Sequence, residues 1–480
     1  MKRNLLTSLV MVSFVLGLPR PTVLAQQSES SREQQLEELI RQLSDKVQAL
    51  EARVNELEQG KADRATEERV QELATNVEQI RQQQPPADAE EWAKLRQWVT
   101  DSKTLRPYWK DGLRLDSNDG SVELKIGGRI QNDWAYFVED GDLERRRGVD
   151  FDDGTEFRRA RLYISGTIYD DLEFVAQYDF AGGDADFKDV YMGLKNVPYV
   201  GRVRVGQFKE PFSLEELTSS NYITFMERSL VNTFAPSRNV GVMAMNTMLD
   251  KRMTWAVGVF RQTDDFGNGS GGRDYNVTGR LTGLPWYEED GRKLLHVGLA
   301  YTHQNYDDDE FRIRSRPESH LAPNLVDTGT FPAEYGDLIG TEAALVYGPF
   351  SLQAEYVHSF IEGRTHFVGD STFCAASVQA SYFLTGEHRP YSTSSAAFDR
   401  VRPKENFTPD GGSGAWELAA RYSYLDLNDG PVRGGRLDDF TLGVNWYLNP
   451  NARVMWNYVF ANPSEGGDAN MFQWRFQLAF

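Results

Sequence analysis

Cysteine is almost absent. Cys374 stands alone, so no intrachain disulfide can form, and without a recognisable base arrangement beside it the thiol reads as structural rather than nucleophilic. Positive charge is also short: 52 Lys and Arg face 71 Asp and Glu, a formal charge of −19. That balance excludes a general nucleic-acid binder, which needs a basic surface to neutralise phosphates. The six histidines are scattered, and the H-E-x-x-H, G-x-S-x-G and Walker patterns are missing. The chain is therefore expected not to be an enzyme, and no metal or cofactor is called for. The acidic run Asp307-Asp308-Asp309-Glu310 offers oxygen ligands without a calcium-loop spacing and reads as a solvated loop. No apolar run long enough for a membrane helix follows the N-terminus.

What is present falls into two periods. Lys2 and Arg3 precede an apolar run from Leu5 to Leu18 and then Val23-Leu24-Ala25, which predicts a secretory signal over 1–25. That run is about 14 residues, whereas a spanning helix needs about 20. Leu36, Ile40, Leu43, Val47, Leu50, Val54 and Leu57 then follow alternating steps of four and three, the seam of a coiled coil. Gly60 interrupts it, a displaced run resumes at Val70, Leu73, Val77 and Ile80, and Gln-Gln-Gln-Pro-Pro at 82–86 ends it. The expectation is a periplasmic α-helical coiled coil over 26–84 and a linker over 85–110. Its β-branched residues with Leu at d favour a dimer by the peptide rule, unless a trimeric body overrides that preference. The other reading is a single helix packed on the body or on cell-wall components.

From about residue 111 the period becomes 2 and stays so to the end, where Phe472, Trp474, Phe476, Leu478 and Phe480 alternate with Gln473, Arg475, Gln477 and Ala479. Sixteen such stretches can be counted: 122–136, 157–167, 172–180, 187–194, 203–208, 241–248, 254–260, 276–284, 295–302, 341–347, 351–359, 377–384, 416–424, 440–448, 454–460 and 471–480. Their connections alternate, short at 168–171, 249–253, 348–350 and 449–453, long at 138–155, 209–240, 261–275, 303–340 and 425–439. A soluble sandwich has no reason to alternate so, whereas a barrel with both ends on the periplasmic side does. The fold predicted for 111–480 is thus all-β, a 16-stranded antiparallel transmembrane β-barrel, preceded by the coiled coil. The long segment 385–415 breaks the parity and predicts either a miscounted strand or a periplasmic segment folded into the lumen. Trp446, Leu448, Trp456, Tyr458 and Phe460 stand on outward positions suited to lipid and headgroups. The terminal strand should close the barrel against the first.

Parity also chooses the lumen residues. Lys125, Arg129, Arg159, Arg161, Arg204, Arg280, Arg421, Arg453 and Arg475 fall on the inner face, as do Glu123, Asp133, Glu173, Asp179, Asp189, Asp274, Glu355 and Glu417. Guanidinium forks suit phosphate and carboxylate oxygens, so these arginines are candidates for an anion path. Eight acids against nine bases leave a nearly neutral wall, and the arginines read equally as partners of those acids. Selectivity would then come from the loops, through Lys209, Arg228, Arg238, Arg312, Arg314 and Arg316, and from Arg389, Arg400, Arg402 and Lys404 in the periplasmic segment.

Seven stretches, in order, resemble the phosphate-selective porin O and P family: Phe157-Arg158-Arg159-Ala160-Arg161-Leu162, Tyr178-Asp179-Phe180, Lys188-Asp189-Val190-Tyr191, the run Val205 to Phe212 (VGQFKEPF), Thr224 to Arg228 (TFMER), Tyr382 to Glu387 (YFLTGE) and Trp416 to Ser423 (WELAARYS). The resemblance spans roughly 111–480. It implies an outer-membrane homotrimer of sixteen-stranded barrels in a Gram-negative bacterium, narrowed by inward-folded loops. Lumen arginines and lysines would guide small anions such as phosphate. It also implies that the third and fifth external loops and one periplasmic segment fold inward, which would account for 209–240, 303–340 and 385–415. The alternatives are a weakly selective general diffusion pore, and a barrel that mainly anchors a coiled-coil spacer to the envelope. No nucleic-acid partner is expected.

Overall fold

A computed structural model of the chain describes residues 104–139, 143, 151–269, 272, 275–306, 310–364 and 369–480. The expected signal, the coiled coil of 26–84, the linker up to 103, Asp274 and Asp307–Asp309 lie outside the described residues.

Sixteen strands form one antiparallel, closed sheet. In chain order they are β1 (Val122–Glu139), β2 (Gly154–Ile168), β3 (Leu172–Asp179), β4 (Asp186–Val197), β5 (Gly201–Lys209), β6 (Arg238–Met248), β7 (Met253–Arg261) and β8 (Tyr275–Glu288). There follow β9 (Lys293–Asn305), β10 (Phe331–Tyr347), β11 (Phe350–Gly363), β12 (Ser371–Phe383), β13 (Ala415–Asp429), β14 (Val432–Asn449), β15 (Ala452–Pro463) and β16 (Ala469–Ala479). Each pairs with its sequence neighbours, and β16 returns to β1 in a register running from Ala469 opposite Glu139 to Ala479 opposite Arg129. Phe480 completes the seam, its N–H donating to the Gly128 carbonyl at 3.0 Å and its carbonyl accepting from Gly128 N at 2.7 Å. A Cβ on Gly128 would stand 2.9 Å from the Phe480 ring, so that glycine leaves room for the chain end. Closure leaves no open edge, which hydrocarbon would not tolerate.

Outward positions carry the apolar band. Ile130, Trp134, Tyr136, Leu281, Leu299, Phe440, Leu442, Phe472 and Phe476 are all exposed, while their strand neighbours turn inward. Trp134 stacks on Trp474 with ring centroids 6.0 Å apart, and Trp416 on Trp446 at 5.2 Å. The first pair lies across the seam and the second between β13 and β14, both with amphipathic rings on the outer side.

Three departures from the sequence expectation change how whole segments are assigned. The segment 425–439 is not a long loop: β13 and β14 continue to Asp429 and Val432, leaving only Gly430 and Pro431 between them. Likewise β10 begins at Phe331 rather than Thr341, so the fifth external connection is 306–330. Both errors share one cause. Apolar alternation marks a strand only where one face meets hydrocarbon, and beyond the bilayer the ladder continues with polar side chains. The third difference is at the start, where Leu105–Trp109, inside the segment read as linker, pairs with Leu113–Ser117 in a hairpin. Leu113–Asp116 then pairs with Glu123–Ile126 of β1, in the lane that β16 vacates below Phe480.

Candidate functional site

Three segments enter the barrel interior: the third and fifth external connections and the long periplasmic segment. The third external connection, 210–237, folds inward and is pinned at several points. Glu210 accepts from Asn239 Nδ2 at 2.7 Å, from Asn276 Nδ2 at 2.8 Å and from the Thr278 hydroxyl. Phe212 is completely buried against Gly340, where a Cβ would come within 2.8 Å of its ring. Phe225, 1% exposed, sits likewise against Gly443. Between them a single-turn helix α1 (Leu214–Leu217) is capped by Ser213, whose hydroxyl accepts from Glu216 N and donates to Glu355 Oε2 at 2.6 Å. The fifth connection is held by Glu318, buried among Ser423, Thr441 and Arg421. In the periplasmic segment, Arg389 donates to Gln353 at 2.7 Å and the Ala396 carbonyl accepts from Arg280 Nη2 at 2.9 Å.

Further contacts fasten the loops to β13, β15 and β16. Arg475 grips Asp133 at 2.6 Å and Glu227 at 2.7 Å, Arg421 reaches Glu215 at 3.2 Å as well as Glu318, and Arg453 donates to the Ile223 carbonyl at 2.9 Å. Three of the predicted lumen arginines are thus buried fasteners that hold the loops to β13, β15 and β16. Arg280 is similar, paired with Glu342 at 2.9 Å through Nε.

The open space lies against the other wall, β1–β8. An outer basin of about 470 Å³ is lined by Arg129, Arg158, Arg159, Arg161, Lys188, Lys209, Arg228 and Arg238, against the carboxylates Asp189, Glu216, Asp264 and Asp265. An inner chamber of about 650 Å³ is lined by Lys195, Arg202, Arg204, Lys209, Lys251 and Arg280, with Asp189 the one carboxylate in its lining. The two share Asp189, Lys209 and Leu217, so α1 forms the waist between them. At the periplasmic mouth a third basin of about 600 Å³ brings Lys125, Arg292, Arg400, Arg402 and Lys404 together with Asp111, Glu387 and Asp399.

Not all of this charge is available. Arg161 pairs with Asp179 at 2.6 Å, Arg204 with Glu173 at 2.7 Å, Arg238 with Asp189 at 3.0 Å, and Arg402 with Asp111 at 2.5 Å. Glu216 is shared by Arg228 at 3.2 Å and Lys209 at 3.3 Å. Burial alone would raise its carboxyl, but those two cations hold it below the usual carboxylate value. Glu227 is opposed by burial too, yet Arg158, Arg159 and Arg475 hold it well below that value, so both loop carboxylates stay ionised. Arg129 has only the Ser220 hydroxyl, at 2.6 Å, and no carboxylate partner among the described residues. Arg159 donates to Gln131 at 2.8 Å, lies 3.9 Å from the already shared Glu227, and its buried Nε has no hydrogen-bond partner among the described residues. Arg129 and Arg159 therefore carry the least compensated charge in the basin.

Several predicted residues are not brought to the basins. Arg312, Arg314 and Arg316 project at alternate positions of the fifth connection as exposed side chains. Arg312 pairs with Asp327 at 2.5 Å, and Arg316 caps the His320 carbonyl. Conversely, parity missed Arg158, which binds Glu227 through two hydrogen bonds at 3.0 and 3.1 Å. A bulge in β2 opposite Gln131 and Asn132 turns Arg158 and Arg159 inward together. The sequence held a signal for it: Phe157 and Leu162 both face outward, and an odd spacing of five between same-face residues requires one extra residue.

The glycine sockets make a prediction. Gly340→Leu should expel the Phe212 ring, loosen the third connection and raise single-channel conductance in KCl by about twofold or more, because a bulky side chain cannot enter a packed contact without displacing its neighbour. Unchanged conductance would show that Phe212 does not hold the constriction.

Comparison with known proteins places this architecture. The phosphate-selective porin O and P family matches over residues 124–480. Porin O of Pseudomonas aeruginosa is 27% identical over 425 residues, 80% of this chain and 94% of that one. An uncharacterized protein of Caulobacter vibrioides is 30% identical over 381 residues, 75% of this chain and 73% of its own length. Among solved structures, the anion-selective porin from Comamonas acidovorans is similar with a TM-score of 0.47 at 14% identity, covering 75% of this chain and 100% of that chain. With the family matched across nearly the whole of a closed sixteen-stranded barrel, the chain belongs to the phosphate-selective porin O and P family, and it is an outer-membrane porin.

Proposed function

We propose that the chain forms a water-filled, loop-constricted pore for passive diffusion of small anions such as phosphate or polyphosphate. One observation carries this reading: the outer basin gathers eight basic side chains against four carboxylates, and its two least compensated arginines, Arg129 and Arg159, face it from adjacent strands. Guanidinium groups stay charged at any working pH and match phosphate oxygens in pairs, so an anion entering the basin exchanges water for directed donors. The waist at α1, where Lys209 is shared by both chambers, then presents a charged passage rather than an apolar gate. No energy source or cofactor enters this reading. The working unit is a homotrimer, with the coiled coil of 26–84 in the periplasm after removal of 1–25, where it can also meet cell-wall components.

A weakly selective general diffusion pore is the second reading, and the extensive pairing of Arg161, Arg204, Arg238 and Arg280 with carboxylates favours it. An envelope tether differs from both in carrying no current. Reversal potential across a planar bilayer in a KCl gradient separates them. The expected result is a potential of the sign set by chloride, with chloride current reduced when phosphate is added. Cation preference, or phosphate that leaves chloride current untouched, would remove the anion site.

A further inference from the structure

The inner chamber has a wall that inorganic ions do not need. On the inner faces of β4 to β7, Phe208, Met243 and Phe260 are buried at 2, 4 and 1% exposure, with Tyr191, Met245 and Ala256 packed against them. The outer faces of the same strands carry exposed Met192, Val205, Val242, Val257 and Val259. Both sides of this stretch are therefore apolar, whereas a wet barrel alternates apolar outside with polar inside. The stripe is also accommodated by the backbone. Phe260 lies across Gly241 and Gly258, where a Cβ would come within 2.4 and 2.6 Å of its ring. Tyr191, Phe208, Met243, Met245 and Ala256 line the chamber, and the Arg204 guanidinium stands over the Tyr191 ring at 4.6 Å.

A hydrated inorganic anion gains nothing from passing thioether and aromatic surface. A solute with a charged head and a small apolar body gains at both ends, because Lys209 and Arg204 border the stripe that would cover its body. Resting on the anion-pore reading above, we propose that the inner chamber is a subsite for phosphate monoesters or phosphonates that carry a small apolar or aromatic group, which it favours over equally large polar esters.

The test is block of single-channel chloride current through the purified full chain, with inorganic phosphate, glycerol 3-phosphate and phenyl phosphate compared at pH 8. Phenyl phosphate should half-block at about one tenth of the glycerol 3-phosphate concentration, the factor expected from covering roughly 55 Å² of apolar surface. Met245→Gln, or Ala256→Asn should that variant fail to assemble, should erase the difference, read as the ratio of the two esters' half-blocking concentrations within each variant. Equal block by the two esters, with inorganic phosphate still competing, overturns this inference alone. A preference that survives both substitutions overturns the assignment to the stripe. If no phosphate species competes with chloride, the anion-pore reading falls and takes this one with it.

Discussion

Replacing Arg129, Arg158 and Arg159 together by glutamine is expected to reduce the chloride-to-potassium permeability ratio by at least about tenfold. Each cation about 8 Å from a passing ion contributes roughly 0.5 kcal/mol in a water-like medium, so three amount to about 1.5 kcal/mol. In a tenfold KCl gradient, where full selectivity corresponds to about 60 mV, the zero-current potential should collapse towards zero. The basin would then hold five bases against four carboxylates, close to neutrality. Glutamine at 158 can still donate to Glu227, so the third connection keeps that contact. A variant that keeps the parent potential would place selectivity elsewhere, with the periplasmic basin around Arg400, Arg402 and Lys404 as the next candidate.

The second large effect concerns stability. Arg475→Met should cost about 3–5 kcal/mol, because the fully buried guanidinium satisfies Asp133 through two hydrogen bonds of 2.6 Å and also reaches Glu227 and the Met226 carbonyl. Removing it strands a buried carboxylate and releases the third connection from β16. Denaturant unfolding in detergent measures the loss, and the double variant Arg475→Met with Asp133→Asn should recover part of it, since the pair is coupled. A cost below about 1 kcal/mol would show that water already reaches Asp133.

The same residues show where sequence reading stops. Alternation places Arg475 and Arg421 on the inner face, where they read either as pore cations or as partners of acids; the structure pairs both, with Asp133, Glu227, Glu215 and Glu318. Of those partners parity places only Asp133 on the inner face; Glu215, Glu227 and Glu318 lie on two loops, far apart in sequence, and period 2 says nothing about them. At β2, strict alternation would turn Arg158 outward and the bulge turns it inward, an offset carried by the odd spacing of Phe157 and Leu162. The tops of β10, β13 and β14 lack sustained apolar alternation, so period 2 assigns them to loops although the strands continue.

From the order of its residues alone this protein was committed to a closed sixteen-stranded antiparallel barrel, since a backbone crossing hydrocarbon must satisfy its own hydrogen bonds and must turn every second side chain to lipid. Which of its many arginines meet water and which are bound into the wall was decided only in three dimensions. That outcome depends on where the inward loops deliver Glu215, Glu227 and Glu318. A carboxylate within hydrogen-bond reach turns a pore cation into a fastener.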